Sequence, residues 1–541
     1  MKKIALSVVV SATAMIAAAQ NPSELVRIFE SNTAFSTARS AAMGGAFTSL
    51  GADPSSFDVN PAGLGMYRRS EASFTGYVLS RKAESFSERM TNNLSLPASA
   101  SGSATKNNVN ISNFSFVYNA LSNPDRKLKA LNVGFSISQQ ANFRSRTEAP
   151  SPYTRSSIAD MFGAQLFGTL PDALKYNNSI YDGYQNMPAS AWGAVGAFQS
   201  GLVFDNDIVS VGGKDYVRYG PFYYDDNGVQ VGSLLDGDIV LPSLSRITGG
   251  STVNYNFSVG GNLSDKLFMG LTLNIVSYGY DQTDIYREVT PQENRGDLLD
   301  SEYRQNLHMN GTSAGVKFGM TFQPVDGLRI GAAVHSPVVM SVDEEFSTYN
   351  KNFFVGNQSY YSYSPALKNR YKVRSAPRVT AGVSYTFGKR AIVSADYEHA
   401  WYNTMDVRGI DYRPGEATLR DEFRNNYRAA GTVKVGAEVN MGRGFMARAG
   451  YNYKMNNNKL IDNKYGTVQT FSGGLGYRGR TVFVDLAYVH ARYKTPPAYY
   501  YGYTLSIPDG NDYITESYVS DSKYSTTFKD RNVALTFGVK F

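Results

Sequence analysis

The sequence predicts an all-β protein, an antiparallel transmembrane β-barrel of about 14 strands with an N-terminal plug in its lumen. Three observations predict it. The chain ends on a strand-like alternation, with Val533, Leu535, Phe537, Val539 and Phe541 on one face and Ala534, Thr536, Gly538 and Lys540 on the other. That period-two pattern recurs along the chain in segments of about eight to eleven residues, the length a tilted barrel strand needs. Beyond the N-terminus, no apolar run approaches the roughly 20 residues of a membrane-spanning helix. A membrane protein built this way crosses as a barrel, in which every backbone group pairs with a neighbouring strand.

The elements follow in order. Lys2 and Lys3 before the apolar run Ile4 to Ala19 have the layout of a secretory signal peptide over residues 1–19, with small residues Ala17, Ala18 and Ala19 at the cleavage point. There is no Cys, which excludes a lipid anchor on Cys, disulfides and thiolate chemistry. Without Lys2 and Lys3 the chain holds 51 basic against 46 acidic residues, scattered rather than clustered, so nucleic-acid binding is not expected.

Residues 20–70 precede the first strand. They contain Ala41-Ala42-Met43-Gly44-Gly45-Ala46-Phe47, Asp53-Pro54-Ser55 and Asn60-Pro61-Ala62-Gly63-Leu64. Small residues with several breakers favour a compact coil that other backbone approaches closely. Fourteen strands enclose more space than their own side chains fill, and such a coil suits that lumen.

The barrel is expected over residues 71–541. Its strands read as Ala72–Leu79, Ile111–Tyr118, Leu131–Ser138, Val253–Gly260, Leu267–Ile275, Ala314–Phe322 and Leu328–Val334. The second half continues with Val379–Phe387, Ala391–Glu398, Val433–Val439, Phe445–Tyr453, Val468–Tyr477, Val482–Tyr488 and Val533–Phe541. Lys317, Asp396, Glu398, Lys434, Glu438, Arg448, Asp485 and Lys540 all fall on the phase opposite the apolar set. A charge facing lipid near the midplane costs about 2–4 kcal/mol, so that phase faces the lumen. A soluble β-sandwich shows the same alternation. The signal peptide, the strand number and the terminal Phe541 favour the barrel; a last strand ending on Phe resembles the closing strand of outer-membrane barrels, which implies that Phe541 belongs to an assembly signal.

Short connections such as Asn262–Lys266, Gly388–Arg390 and Met441–Gly444 alternate with long ones, the longest over residues 139–252. Short periplasmic turns against long outer loops are the asymmetry of an outer-membrane barrel. Within the longest loop, Ile158, Met161, Phe162 and Leu166 have the spacing of an amphipathic helix. With Trp192 and Phe198 they form either a greasy outer groove or a self-packed loop core. Trp192–Phe204 also offers one further strand.

The motifs Arg39 to Ala46, Ala52 to Ser55 and Asn60 to Leu64 resemble the N-terminal hatch of the FadL/TodX family of outer-membrane transporters of long-chain fatty acids and other hydrophobic compounds. The resemblance implies a hatch in the lumen, with Gly44, Gly45, Asn60, Pro61, Ala62 and Gly63 near a ligand path. A turn that anchors the plug without touching ligand is the plainer role for Asn60-Pro61-Ala62. It further implies capture on an outer groove, a lumen pocket and sideways release through a strand distortion.

The expected function is passive transport of hydrophobic molecules across the outer membrane of a Gram-negative bacterium, with no cofactor, no metal and no catalytic step. The expected partners are hydrophobic small molecules, the bilayer and the barrel assembly machinery. A scaffold for surface-protein export, bound to such a protein, and an open polar porin are the competing readings.

Other motifs add little. Gly474-Leu475-Gly476-Tyr477-Arg478-Gly479 has dinucleotide-site spacing but lies along a strand rather than opening a helix. Asp225-Asp226-Asn227-Gly228 reads as a polar turn. His308, His335, His399 and His490 lack metal-ligand spacing and bind haem or metal only if the fold gathers them.

Overall fold

The structure is a computed structural model that describes residues 22–29, 36–91, 94–176, 179, 181–409, 413–509 and 512–541. The expected signal peptide lies outside the described residues. Fourteen wall strands close into one antiparallel sheet. They are β1 (Glu71–Arg89), β2 (Ser99–Ser122), β3 (Leu128–Asn142, continued by Ser145–Pro150) and β4 (Leu241–Leu263). Next come β5 (Leu267–Val289), β6 (Leu298–Val325) and β7 (Leu328–His335, continued by Val339–Phe354). Then follow β8 (Leu367–Arg374, continued by Arg378–Phe387), β9 (Ala391–Trp401) and β10 (Ala429–Gly442). The wall ends with β11 (Phe445–Lys454), β12 (Val468–Arg478), β13 (Val482–Lys494) and β14 (Ser522–Lys540).

Each strand pairs with its sequence neighbours, and β14 returns to β1 through a ladder running from Glu71–Lys540 to Arg89–Ser522. Closure joins the first and last strands, so neither is an edge strand of an open sheet. All fourteen segments expected from periodicity are strands. No helix among the described residues is long and apolar enough to cross a membrane.

The alternation sets which face meets lipid. On β6, Val316, Phe318, Met320 and Phe322 are 42–45% exposed, whereas Lys317 between them is 6% exposed and Thr321 is fully covered. Outward-facing apolar residues on the other strands continue this band around the barrel, with Leu271, Leu273 and Ile275 on β5 and Leu486 and Tyr488 on β13 among them. Strands extend well past the band: β6 has 28 residues, where spanning a bilayer needs about 9–11. The wall therefore rises above the membrane, and the long loops cap it.

One loop expectation is corrected. Trp192–Gln199 is a helix, not a strand, and only Phe204 onward enters a small hairpin strand, Phe204–Val211. Gly193, Ala194, Gly196 and Ala197 explain this. They present no β-branched edge, and they let the helix press so close that a Cβ on Gly193 would sit 2.8 Å from the Phe162 ring.

Candidate functional site

Residues 36–67 form three short helical turns, each started by its own side chain. Thr37 caps the helix α2 (Ala38–Ala42), Asp53 caps the turn Pro54–Phe57 and Asn60 caps the turn Pro61–Met66. Asp53-Pro54 and Asn60-Pro61 share one logic. The Asx oxygen accepts a free backbone N–H, and Pro at the next position has none to satisfy. Thr37 Oγ1 donates to Asp53 at 2.9 Å and ties the first turn to the second.

Wall glycines make the seat. Gly260, Gly270 and Gly319 are cross-strand neighbours on β4, β5 and β6, and Gly331–Gly382 and Gly436–Gly450 are further matched pairs. A Cβ on Gly270 would overlap the Pro61 carbonyl, and one on Gly319 would overlap the Asn60 side chain. On Gly450 it would overlap the Gly44 backbone. The missing side chains leave an inner groove into which the plug backbone fits. Gly44 and Gly45 themselves have φ of +64° and +78°, a left-handed turn that other residues adopt only at a cost.

Polar fastenings complete the seat. The Asn60 amide donates to the Thr48 carbonyl at 2.5 Å and to Thr321 Oγ1 at 3.2 Å. Thr48 N–H donates to Asp396 at 2.8 Å, and Lys317 Nζ lies 3.1 Å from Asp58. Arg39 binds Glu438 through two nitrogens, each at 3.0 Å, and Arg448 holds the same carboxylate at 2.6 Å. Arg448 and Arg478 share Asp485 at 2.8 Å each. The lumen-facing charges expected from the strand phase thus mostly serve to bind the plug or one another.

Above the plug lies a cavity of about 740 Å³, the size of a small-molecule site. Its lining is mixed. Val276, Val338, Tyr402, Tyr427 and Phe528 give apolar surface, joined by Val26, Ile28 and Phe29 of the helix α1 (Pro22–Phe29). Among them stand Arg81, Arg246, Lys317, Arg378, Lys434, Lys454 and Lys494 against Asp58, Asp284 and Glu398, seven cationic groups to three acidic. Arg246 pairs with Asp284, Lys317 with Asp58, Arg378 and Lys434 with Glu398, and Arg81 with Asp530. Leu25, Val26 and Ile28 pack among Phe143, Tyr278, Met340, Val373 and Phe423, so the N-terminal helix fills the most apolar part of the lumen.

At one side of the cavity the wall is distorted. The β2–β3 ladder stops at Asn113–Ser138, although both strands continue outward. Register shifts between Thr75 and Gly76 and between Gln139 and Ala141 mark the same level. Ser112 there donates to the Ser36 carbonyl of the plug at 3.2 Å, and Ser36 and Gln140 line the cavity.

The predicted residues fall as follows. Gly45 lines the cavity. Gly44, Asn60, Pro61 and Ala62 press against the wall, and Gly63 packs within the plug against Ser56 and Gly51. Ile158, Met161, Phe162 and Leu166 lie on the helix α3 (Ile158–Leu166). Trp192 and Phe198 lie on α4 (Trp192–Gln199). All six join one packed core that roofs the barrel with the hairpin Gly502–Val519, so their apolar faces cover one another. Phe541 closes the last strand, its N–H donating to the Ser70 carbonyl and its ring 6.1 Å from Phe116. The histidines stay apart: His308 bonds Asp281 and Asn310, His335 the Val59 carbonyl, and His399 the Tyr397 hydroxyl. Among the described residues no group of three or more His, Asp or Glu is arranged to hold a metal. Sequence reading missed α1, whose Leu25, Val26, Ile28 and Phe29 were the available signal.

The roof contains the buried carboxyl of Glu288 and the half-buried one of Asp160. Glu288, on the outer extension of β5 above the apolar band, accepts from the Ser157 hydroxyl at 2.5 Å, the Tyr286 hydroxyl at 2.6 Å and Ile158 N–H at 2.9 Å. Burial pushes Glu288 up to about 7, and Asp160 in the α3 capping box up to about 6. Both groups are raised acids, so their neutral forms favour the closed roof. That contribution is complete at low pH and is lost as pH rises through the range from about 4 to about 7. Amide exchange in α3 is expected to speed up at least about tenfold between pH 4.5 and 7.5 beyond its intrinsic rate change. An unchanged protection factor would show that the roof does not depend on these carboxyls.

The chain matches no family model and no curated protein. Its course is similar to that of solved channel structures. The toluene transporter TbuX of Ralstonia pickettii is 15% identical, with 94% of this chain and 99% of that one covered at a TM-score of 0.44. A Pseudomonas aeruginosa FadL homologue is 12% identical, covering 94% and 98% at 0.48. The monoaromatic hydrocarbon channel CymD is 11% identical, covering 95% and 99% at 0.45. The barrel described here is established by its own strand pairings.

Proposed function

We propose that this protein is an outer-membrane channel that passes small hydrophobic molecules, with a preference for those bearing a carboxylate, such as long-chain fatty acids. The observation that carries the reading is the cavity lined by both apolar side chains and an excess of Lys and Arg over Asp and Glu, held between a seated plug and a packed roof. An amphipathic anion satisfies both kinds of lining at once. Its tail removes apolar surface from water, and its head meets positive potential. The apolar band, closed wall and alternating loop lengths support the outer membrane as its location. The break in the β2–β3 ladder is the route by which the molecule leaves sideways, supported by Gln140 and Ser36 at that level, which line the cavity.

Proteoliposomes test this with radiolabelled palmitate, hexadecanol and glucose. Palmitate is expected to enter fastest, hexadecanol more slowly, and glucose at the rate of protein-free vesicles. Rapid glucose entry would instead establish an open porin. A permanently plugged scaffold for surface-protein export is the second reading, favoured by the Arg39–Glu438 and Lys317–Asp58 pairs that hold the plug. No uptake of any solute, with a surface protein co-purifying, would support it.

A further inference from the structure

The outer piece of β8 reads Leu367-Lys368-Asn369-Arg370-Tyr371-Lys372-Val373-Arg374. Tyr371 and Val373 are buried, so the alternate residues Lys368, Arg370, Lys372 and Arg374 all face outward. The two outermost have acidic partners across the ladder on β7, with Arg370 2.5 Å from Asp343 and Lys368 3.6 Å from Glu345. Nearer the membrane the pattern changes. Lys372 and Arg374 stand opposite Ser341 and Val339, which offer no charge. On its other side the strand pairs with the short segment Asp406–Arg408, and there Lys372 stands directly opposite Arg408.

Like charges directly opposite in an antiparallel pair are destabilising. The neighbouring acid does not resolve this one. Asp406 accepts from Arg408 at 3.0 Å and from Arg420 at 3.0 Å, so it is already shared. Among the described residues the Arg374 side chain donates to the Thr404 carbonyl alone, at 2.8 Å. Lys372 has no hydrogen bond or ion pair among the described residues. The level of the cluster is fixed by its neighbours. Arg374 is paired with Val339, which is 54% exposed just above the outward-facing Ile330 and Val334 of the same strand. Trp401 and the outward-facing Tyr397 of β9 lie at this edge of the apolar band, where interfacial aromatics collect.

We propose that Lys372, Arg374 and Arg408 form a site for the phosphorylated headgroup of an anionic lipid in the outer leaflet. Asp406, opposite Arg374 in the ladder and shared by Arg408 and Arg420, is one acid for these cations, and the phosphate supplies the further counter-charge, with the acyl chains along the apolar band directly below. This rests on the barrel spanning a bilayer and is independent of what passes through the lumen.

The test uses the full-length protein in nanodiscs of phosphatidylcholine alone or with phosphatidylglycerol. A K372Q/R374Q/R408Q variant is compared with wild type and with K175Q/R218Q, whose cations lie in the remote outer loop. By native mass spectrometry, wild type and K175Q/R218Q are expected to retain phosphatidylglycerol over phosphatidylcholine by at least about tenfold, a preference the triple variant loses. Melting provides a crossed readout. In phosphatidylcholine the triple variant is expected to melt at or above wild type, because the Lys372–Arg408 repulsion is gone. With phosphatidylglycerol the order reverses. Equal lipid preference in the triple variant and wild type, or the same melting order in both lipids, overturns the proposal.

Discussion

Deleting residues 22–67 is expected to convert a silent barrel into a conducting one. The fourteen-strand lumen is wider than its own side chains fill, and its inner face is polar, with Asn256, Thr272, Lys317 and Asp396 on it. Water will fill the space the plug leaves. Single-channel recordings should show conductance at least about ten times that of the full-length protein. Because the deletion also removes Asp58, the partner of Lys317, a second variant guards against misfolding. Gly270→Val with Gly319→Val keeps every plug residue but places a Cβ where Pro61 and Asn60 now sit. That pair should open the channel intermittently, since the plug loses part of its seat and keeps its ion pairs. A deletion variant that folds and stays silent would show that the outer loops, not the plug, close the pore.

The wall was legible in the sequence because its cause is local. Side-chain direction in a strand has period two, and lipid excludes charge from one phase, so Lys317 or Asp485 reveals which face a segment buries without reference to any neighbour. The caps Asp53-Pro54 and Asn60-Pro61 were legible as breakers for the same reason. What Asn60 does was not, because Met320 and Thr321 of the wall reach it only through the closed barrel. Arg39 and Glu438 are 399 residues apart, and no local pattern joins them. The apolar spacing of Ile158 to Leu166 announced a helix, and α3 is there. It did not say what covers that face, and the answer is α4 and the Gly502–Val519 hairpin rather than an open groove. The glycines of the wall carried a signal that was not read. Gly260, Gly270, Gly319 and Gly331 all fall on the lumen phase, where a large side chain would have to give way to the plug.

Glu438→Ala is the substitution with the largest expected cost in stability, about 3–5 kcal/mol. The Glu438 carboxylate accepts two hydrogen bonds from Arg39 and one from Arg448, and it is 7% exposed. Removing it takes from Arg39 its bidentate partner and leaves Arg448 and Arg478 sharing Asp485, with Asp53 the other acid acting on Arg39 and Arg478. Arg448 is fully covered and Arg39 mostly so, and the unbalanced positive charge is poorly solvated there, so the plug is the part free to move away. Arg39→Ala should cost less, about 1–3 kcal/mol, because Glu438 keeps Arg448. The double variant should be no worse than Glu438→Ala alone, since one of the stranded cations is then gone. Urea unfolding gives the three stabilities, and limited proteolysis of the plug shows whether it leaves first. If Arg39→Ala proves as costly as Glu438→Ala, the carboxylate is not the hub of the network, and the plug is held chiefly by its glycine seat.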